Sequence, residues 1–222
     1  PPRCWGDRGR GGSCDHIDFA GATQVYSTWV AFLALKAEAG VGKCWGASGY
    51  GGSCNDINFT RETQVYSTGG AFLALDAEAG LGRCWGEALV GGFCDDINFT
   101  GVMQAYSNWF AFMALDVEAG VGQCWGASGH GGSCSHIDFT GVTQVYSTGG
   151  AFMAFNMEDG SAQCWGDAHW GGSCNGLRPS TPCTVMDGSD ASDSYPCTCG
   201  RHTCMTGESC SPCTCGSDCN ED

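Results

Sequence analysis

Cations are scarce in this chain: nine lysine and arginine residues stand against 24 aspartate and glutamate, for a net charge of −15. A surface of that sign repels phosphate backbones and anionic lipid, which argues against nucleic-acid binding and against anionic membranes. No apolar run approaches the ~20 residues needed to span a bilayer, and no charged segment leads into an apolar one in the manner of a signal sequence. The chain begins at Pro1 rather than methionine; the expectation is that a targeting segment has been removed or that the sequence starts inside a longer one. Also missing are a Gly-x-Ser-x-Gly elbow, a His-Glu-x-x-His pair, a P-loop and a dinucleotide fingerprint. The five histidines, at positions 16, 130, 136, 169 and 202, are scattered, and none is paired with an evident nucleophile. The reading is a non-enzyme with no cofactor, no catalytic residue and no metal ligand set.

What the sequence does hold is glycine, at 37 positions, and cysteine, at 18. Their placement is periodic. Cys-Trp-Gly recurs at Cys4, Cys44, Cys84, Cys124 and Cys164, always forty residues apart, with Gly-Gly seven residues after each cysteine. A second cysteine follows ten residues after the first, at Cys14, Cys54, Cys94, Cys134 and Cys174. Self-similarity at this period is the mark of a stacked or radial repeat. The even number and fixed spacing of the cysteines fit a disulfide framework in an oxidising compartment: secreted, at a cell surface or in an organelle lumen. Buried free cysteine is the alternative. Within a repeat the pair ten apart is expected to close a local bridge around the Gly-Gly loop; a bridge from one repeat to the next, such as Cys14 to Cys44, is the competing connectivity.

After each second cysteine comes an apolar pair spaced by two, Ile17 and Phe19 in the first repeat and Ile57 and Phe59 in the second. That spacing puts both side chains on one face of an extended segment. Gln24-Val25-Tyr26-Ser27 and its three later copies read as strands. The block Ala31-Phe32-Leu33-Ala34-Leu35, repeated from Ala71, Ala111 and Ala151, is ambiguous, because its helix propensity is high and a glycine stands where a helix would end. Strand is favoured, since Gly69-Gly70 and Gly149-Gly150 occupy the first turn of such a helix and about nine residues are too few to be stable alone.

The run Phe-x-Ala-Leu, then Gly-x-Gly-x-Cys-Trp-Gly and Gly-Gly, resembles the repeat of propellers of the regulator-of-chromosome-condensation (RCC1) and beta-lactamase-inhibitor-protein-II type, in the degenerate form common in single-celled algae. The likeness covers residues 4 to 174. It departs from those repeats in its Glu-Ala-Gly turn, its added cysteines and its four full units. The resemblance implies a mainly β fold, with 40-residue repeats forming a small or incomplete β-propeller-like or solenoid array followed by a disulfide-rich irregular tail. Residues 1–175 would form four repeats plus a terminal half-repeat, and residues 176–222 the tail. It further implies a non-catalytic structural or interaction protein docking on a larger assembly, with an accessory subunit on the lumenal side of a photosynthetic (thylakoid) membrane complex as the finer version. The alternative is a ligand-binding module, lectin-like or metal-binding through the tail.

The tail has one aromatic residue, Tyr195, and eight cysteines, Cys183, Cys197, Cys199, Cys204, Cys210, Cys213, Cys215 and Cys219. It cannot build a core and needs disulfides, metal or a partner; disulfides are favoured. Asp18, Asn58, Asn98 and Asp138 share one repeat position, read as Asx turns rather than as metal ligands. Asn58-Phe59-Thr60 and Asn98-Phe99-Thr100 are formal glycosylation sequons. One position has a period of 80: Trp29-Val30 and Trp109-Phe110 alternate with Gly69-Gly70 and Gly149-Gly150. Either each tryptophan fills the space left by a neighbour's glycines, or Trp29, Trp109 and Phe110 are surface anchors for a protein partner. Last, the opening Cys-Trp-Gly lacks the Ala-Phe-x-Ala-Leu strand that precedes every other copy. It is expected to be a strand paired by the far end of the array or by residues upstream of Pro1.

Overall fold

The computed structural model describes residues 2–60, 63–157 and 159–174, together with the backbone of three short strands beyond them. The chain divides into two units, Pro1–Glu158 with Ala162–Cys174, and Asp159–Ser161 with Asn175–Asp222. The first holds four three-stranded antiparallel sheets, one per repeat. They are β1 (Gln24–Ser27), β2 (Ala31–Lys36) and β3 (Val41–Gly46); β4 (Thr63–Ser67), β5 (Ala71–Asp76) and β6 (Leu81–Gly86); β7 (Gln104–Ser107), β8 (Ala111–Asp116) and β9 (Val121–Gly126); and β10 (Gln144–Ser147), β11 (Ala151–Phe155) and β12 (Ala162–Gly166). The second unit contains β13 (Thr181–Pro182), β14 (Cys197–Cys199) and β15 (His202–Cys204); β13 lies parallel to β14, and β15 antiparallel to it. Cys183, Cys210, Cys213, Cys215 and Cys219 lie outside the described residues, as does the tail's choice between disulfides and metal.

The ambiguous apolar block is the central strand of every sheet, and its burial explains why strand wins over helix propensity. In β5 all of Ala71, Phe72, Leu73, Ala74 and Leu75 are buried, odd positions toward one neighbouring sheet and even positions toward the other. A strand covered on both faces reads as a continuous apolar run instead of an alternating one. Each buried leucine or phenylalanine contributes roughly 1.5–3 kcal/mol, so tertiary burial outweighs local preference.

The even face carries an aromatic pair fixed by register. Phe72 stands opposite Trp85 and stacks on it at 5.2 Å; the other three sheets repeat this stack. The indole Nε1 of Trp85 reaches back 3.1 Å to the carbonyl of Gly51 in the preceding Gly-Gly loop, and Trp45, Trp125 and Trp165 do the same to Gly11, Gly91 and Gly131. That loop, a short 3-10 turn ending at Gly51 with φ 98°, is closed by a bridge between Cys44 and Cys54. The bridges Cys4–Cys14, Cys84–Cys94, Cys124–Cys134 and Cys164–Cys174 have the same local connectivity. Two glycines are required here: a Cβ on Gly51 would run into the Phe72 ring, and one on Gly52 would strike the backbone of Gly46.

Two expectations fail in detail. The Ile-Phe segment is not a strand; residues 55–60 form a turn and irregular chain, held by side-chain packing such as that of Phe59 edge-on against Trp85 instead of by a ladder. The opening Cys4-Trp5-Gly6 is likewise irregular, and the far end of the array, one of its two expected partners, does not pair with it among the described residues.

Candidate aromatic docking site

The turn between the first and second strands of each sheet brings the residues of the 80-residue alternation together. Trp29 N–H donates to the Gly69 carbonyl (3.0 Å), Gly69 N–H to the Trp109 carbonyl (2.8 Å) and Trp109 N–H to the Gly149 carbonyl (3.2 Å). Hydrogen-bonded segments lie about 5 Å apart, whereas sheets packed face to face are about 10 Å apart. The sheets therefore fan out from this edge, which gives the array its propeller-like turn and crowds the side chains of four repeats into one row.

Crowding explains the alternation. A Cβ on Gly69 would sit 2.8 Å from Cε2 of Trp29 and 3.0 Å from the Trp109 carbonyl oxygen, so the indole of one repeat lies over the glycine of the next. Trp109 lies over Gly149 in the same way, joined there by Trp170. With a bare rung between them, Trp29 and Trp109 meet edge to face at 5.9 Å, and Trp109 meets Trp170 at 5.1 Å. Phe110 joins Trp29 at 6.0 Å and His130 at 4.3 Å. The indoles are seated on glycine on one side yet remain open on the other: Trp29 is 62% exposed, Trp109 48% and Trp170 40%.

The row is held from beneath by polar side chains. Thr28, Thr68 and Thr148 donate their hydroxyls to the carbonyls of Tyr50, Val90 and Trp170, and Asn108 donates its amide to His130, at 2.7–3.1 Å. These bonds fix the last residue of each 3-10 turn beside the row. At its far end Asp167 caps the turn that carries Trp170, accepting from His169 N–H at 2.8 Å, with Nδ1 of His169 at 3.3 Å and Nε2 of His130 at 3.7 Å. The backbone N–H of His169 holds the Asp167 carboxyl below the usual carboxylate range, with the two imidazoles adding to the effect. Between Arg83 and Arg178 there is no lysine or arginine, and the carboxylate that borders the far end of the row is Asp167.

Of the residues singled out from sequence, Trp29, Trp109 and Phe110 come together in this row. Trp170 and His130 were missed. They occupy one repeat position as Tyr50, Val90, His130 and Trp170, and comparing that column across repeats would have found them. Asp18, Asn98 and Asp138 each accept from the backbone N–H two residues on, at 2.9–3.0 Å, forming Asx turns. Asn58 and Asn98 are exposed while Phe59 and Phe99 of the same sequons are buried. Among the described residues no group of three or more His, Cys, Asp or Glu is arranged to hold a metal ion, and no helix is long and apolar enough to cross a membrane.

No protein-family model matches the chain, and no curated protein matches it. Solved structures similar to it include two plant receptor-kinase ectodomains. One is the entire ectodomain of the receptor kinase CR4 from Physcomitrella patens, at 15% identity and a TM-score of 0.48, covering 66% of this chain and 39% of that one. The other is the CRINKLY WD40 ectodomain of the receptor kinase ACR4 from Arabidopsis thaliana, at 16% identity and a TM-score of 0.42, covering 65% of this chain and 49% of that one. This chain spans less than half the length of either ectodomain.

Proposed function

We propose that this protein is a non-catalytic interaction module of an oxidising, extracytoplasmic compartment, and that it docks on a protein partner through the row of Trp29, Trp109, Phe110 and Trp170. The observation that supports this is the exposure of three adjoining indoles on a rigid, hydrogen-bonded edge. Large rigid aromatic surfaces are the residues that dominate binding energy when a partner covers them. The five local disulfides favour a compartment where such bonds persist.

The test is the Trp29→Ala, Trp109→Ala double variant. Because both rings are about half exposed or more, each substitution should cost only about 1 kcal/mol of stability, well below the ~3–5 kcal/mol of a fully buried tryptophan. The variant should fold and melt close to the parent while losing the large complex with which the parent co-purifies. A variant that still co-purifies, or a parent that runs alone, contradicts the docking role. The finer reading, a lumenal subunit of a photosynthetic complex built on RCC1-type repeats, belongs to the same proposal and is tested by the identity of that complex. A second reading is a lectin-like site, favoured by the open indole faces, since rings of this kind also serve as platforms for sugars. Glycan-array binding that disappears in the same double variant would establish it instead.

A further inference from the structure

The chain that leads from Cys94 to β7 wedges between the third strands of two neighbouring sheets. Phe99 goes inward: its ring lies on Gly82 of β6 and meets Trp125 of β9 edge-on, and the residue is buried. The residues on either side of it, Asn98 and Thr100, are both exposed. In an extended segment successive side chains take opposite sides, and those two apart share a side. The buried phenylalanine therefore sets Asn98 and Thr100 next to each other on the surface. The sequon Asn98-Phe99-Thr100 presents its two recognition residues to solvent and buries the middle one, whose identity a sequon leaves open except for proline.

Hydrogen bonds hold this presentation in place. The Asn98 N–H donates to Oε1 of Gln123 at 3.0 Å and the Gln123 amide donates back to the Asn98 carbonyl, which clamps the backbone to β9. Oδ1 of Asn98 accepts from the Thr100 N–H at 3.0 Å. Among the described residues, neither Nδ2 of Asn98 nor the Thr100 hydroxyl takes part in a hydrogen bond within the protein. Asp138 has the same clamp, from Gln163, and the same turn, with Thr140, but its carboxylate offers no nitrogen. Asn58 has the nitrogen without the arrangement. Thr60 is half-buried, its hydroxyl donates to Asp76 at 2.8 Å and its N–H to Oγ1 of Thr63 at 2.7 Å.

We propose that Asn98 is a modification site and carries an N-linked oligosaccharide, an inference that rests on the extracytoplasmic compartment proposed above. In the transfer, Nδ2 of Asn98 bonds to the anomeric carbon of an oligosaccharide carried on a lipid pyrophosphate. The bond from that carbon to the pyrophosphate oxygen breaks, its electron pair leaves with the lipid pyrophosphate, and Nδ2 gives up one proton, so no oxidant or reductant is needed. Because Phe99 is buried in the finished fold, the transfer precedes closure of the face between the second and third sheets. The folded chain then accommodates the glycan, since Nδ2 makes no bond that the new linkage must break. β9 is an edge strand of its sheet, and a bulky polar group beside Gln123 covers that edge in the way that keeps exposed ladders from pairing with other chains. Gln123 stands three residues before Gly126, which lies opposite Ala111. The glycan thus emerges roughly 10 Å along β9 from the turn that bears the aromatic row, at ~3.3 Å per residue.

The test is site-resolved mass spectrometry of the full chain secreted from a eukaryotic host that transfers such oligosaccharides. Enzymatic release of the glycans in heavy-oxygen water leaves a labelled aspartate at each asparagine that carried one. The label is expected at position 98. It should be lost in Asn98→Gln and in Thr100→Ala and kept in Thr100→Ser, which retains the hydroxyl that the sequon requires. Asn98 and Thr100 are exposed, so all three variants should fold, and mapping without reductant checks this through the Cys84–Cys94 and Cys124–Cys134 bridges on either side. An unlabelled position 98 in a chain whose bridges have closed overturns the site and leaves the compartment reading standing. So does a label confined to position 58, or one that survives at 98 in Thr100→Ala. Free thiols at the repeat cysteines of the secreted chain overturn the compartment reading itself, and this inference with it.

Discussion

Gly82 offers a sharp test of how the sheets interlock. It lies on β6 opposite Leu75, and the ring of Phe99 rests directly on it: an added Cβ would overlap Cε2 and Cζ and sit 2.6 Å from Cδ2. Gly82 is held in the ladder, so the ring must yield. Phe99 is 4% exposed and meets Trp125 edge-on at 5.8 Å. Pushing it outward forfeits part of a burial worth roughly 1.5–3 kcal/mol and an edge contact worth about 0.5–1.5 kcal/mol. Overpacking of this kind typically costs about 1–3 kcal/mol, and Gly82→Ala is expected near the upper end of that range. In a domain of this size that lowers Tm by about 5–10 °C. Urea unfolding with the disulfides intact measures the cost, and a cycle with Phe99→Leu tests the cause. The double variant should be more stable than the sum of the singles by about 1 kcal/mol or more, because leucine removes the ring that alanine strikes. The fourth repeat is the internal control: it carries Ala162 at this position and Pro179 where a phenylalanine would recur. A cost under about 0.5 kcal/mol, or strict additivity, refutes the interlock.

Thr68 is 4% exposed, donates to the Val90 carbonyl at 3.0 Å and accepts from Ala71 N–H at 3.0 Å. Thr68→Val should cost about 1–3 kcal/mol by stranding both groups, whereas Thr68→Asn should be nearly neutral in a thermal melt, since Asn108 makes the equivalent bonds. Replacing Cys124 and Cys134 together by alanine opens a ten-residue loop and should cost about 3 kcal/mol or less in chemical denaturation. Asp18, Asp76, Asp138 and Asp167 are each held below their ordinary value of 3.8, first of all by backbone N–H donors. A depressed folded-state value means that folding favours the ionised form. Their stabilisation is therefore complete above the ordinary carboxylate range and is lost as pH falls through and below it, which an acid titration of Tm should show.

Much of this fold was legible because its determinants are local and periodic. Cys-Trp-Gly and Gly-Gly mark the end of a strand and the loop after it, and their forty-residue recurrence places all four sheets. The Ala-Phe-x-Ala-Leu block was harder, since its helix propensity is contradicted only by burial on both faces, a tertiary fact. The Ile-Phe segment has the spacing of a strand but lacks a neighbour to pair with, and spacing alone carries no information about partners. In the candidate site, the alternation of Trp29 and Gly69 is visible in the chain, yet the contact of Trp29 with Trp109 skips a repeat and follows only from the close rungs at the turn. Trp170 stands in a column that holds Tyr50, Val90 and His130 in the other repeats, so it is found by comparing that column and not by looking for a recurring residue.

Each indole that reaches back to a carbonyl of the loop before it ties one sheet to the next and to nothing farther off, so the sheets stand in series. Apart from the contact of Trp29 with Trp109 and Phe110, which skips a repeat, the coupling runs between neighbours, and an array coupled in this way is expected to give way one unit at a time when pulled from its ends. Of the forty residues in a repeat, about ten are locked behind a cysteine bridge, so each rupture lengthens the chain by about 30 residues, or roughly 100 Å at ~3.4 Å per residue. With the bridges reduced, the same event releases all forty and roughly 135 Å. The cysteine pairs thus set how much chain each sheet would release under load, and reducing them would lengthen every step.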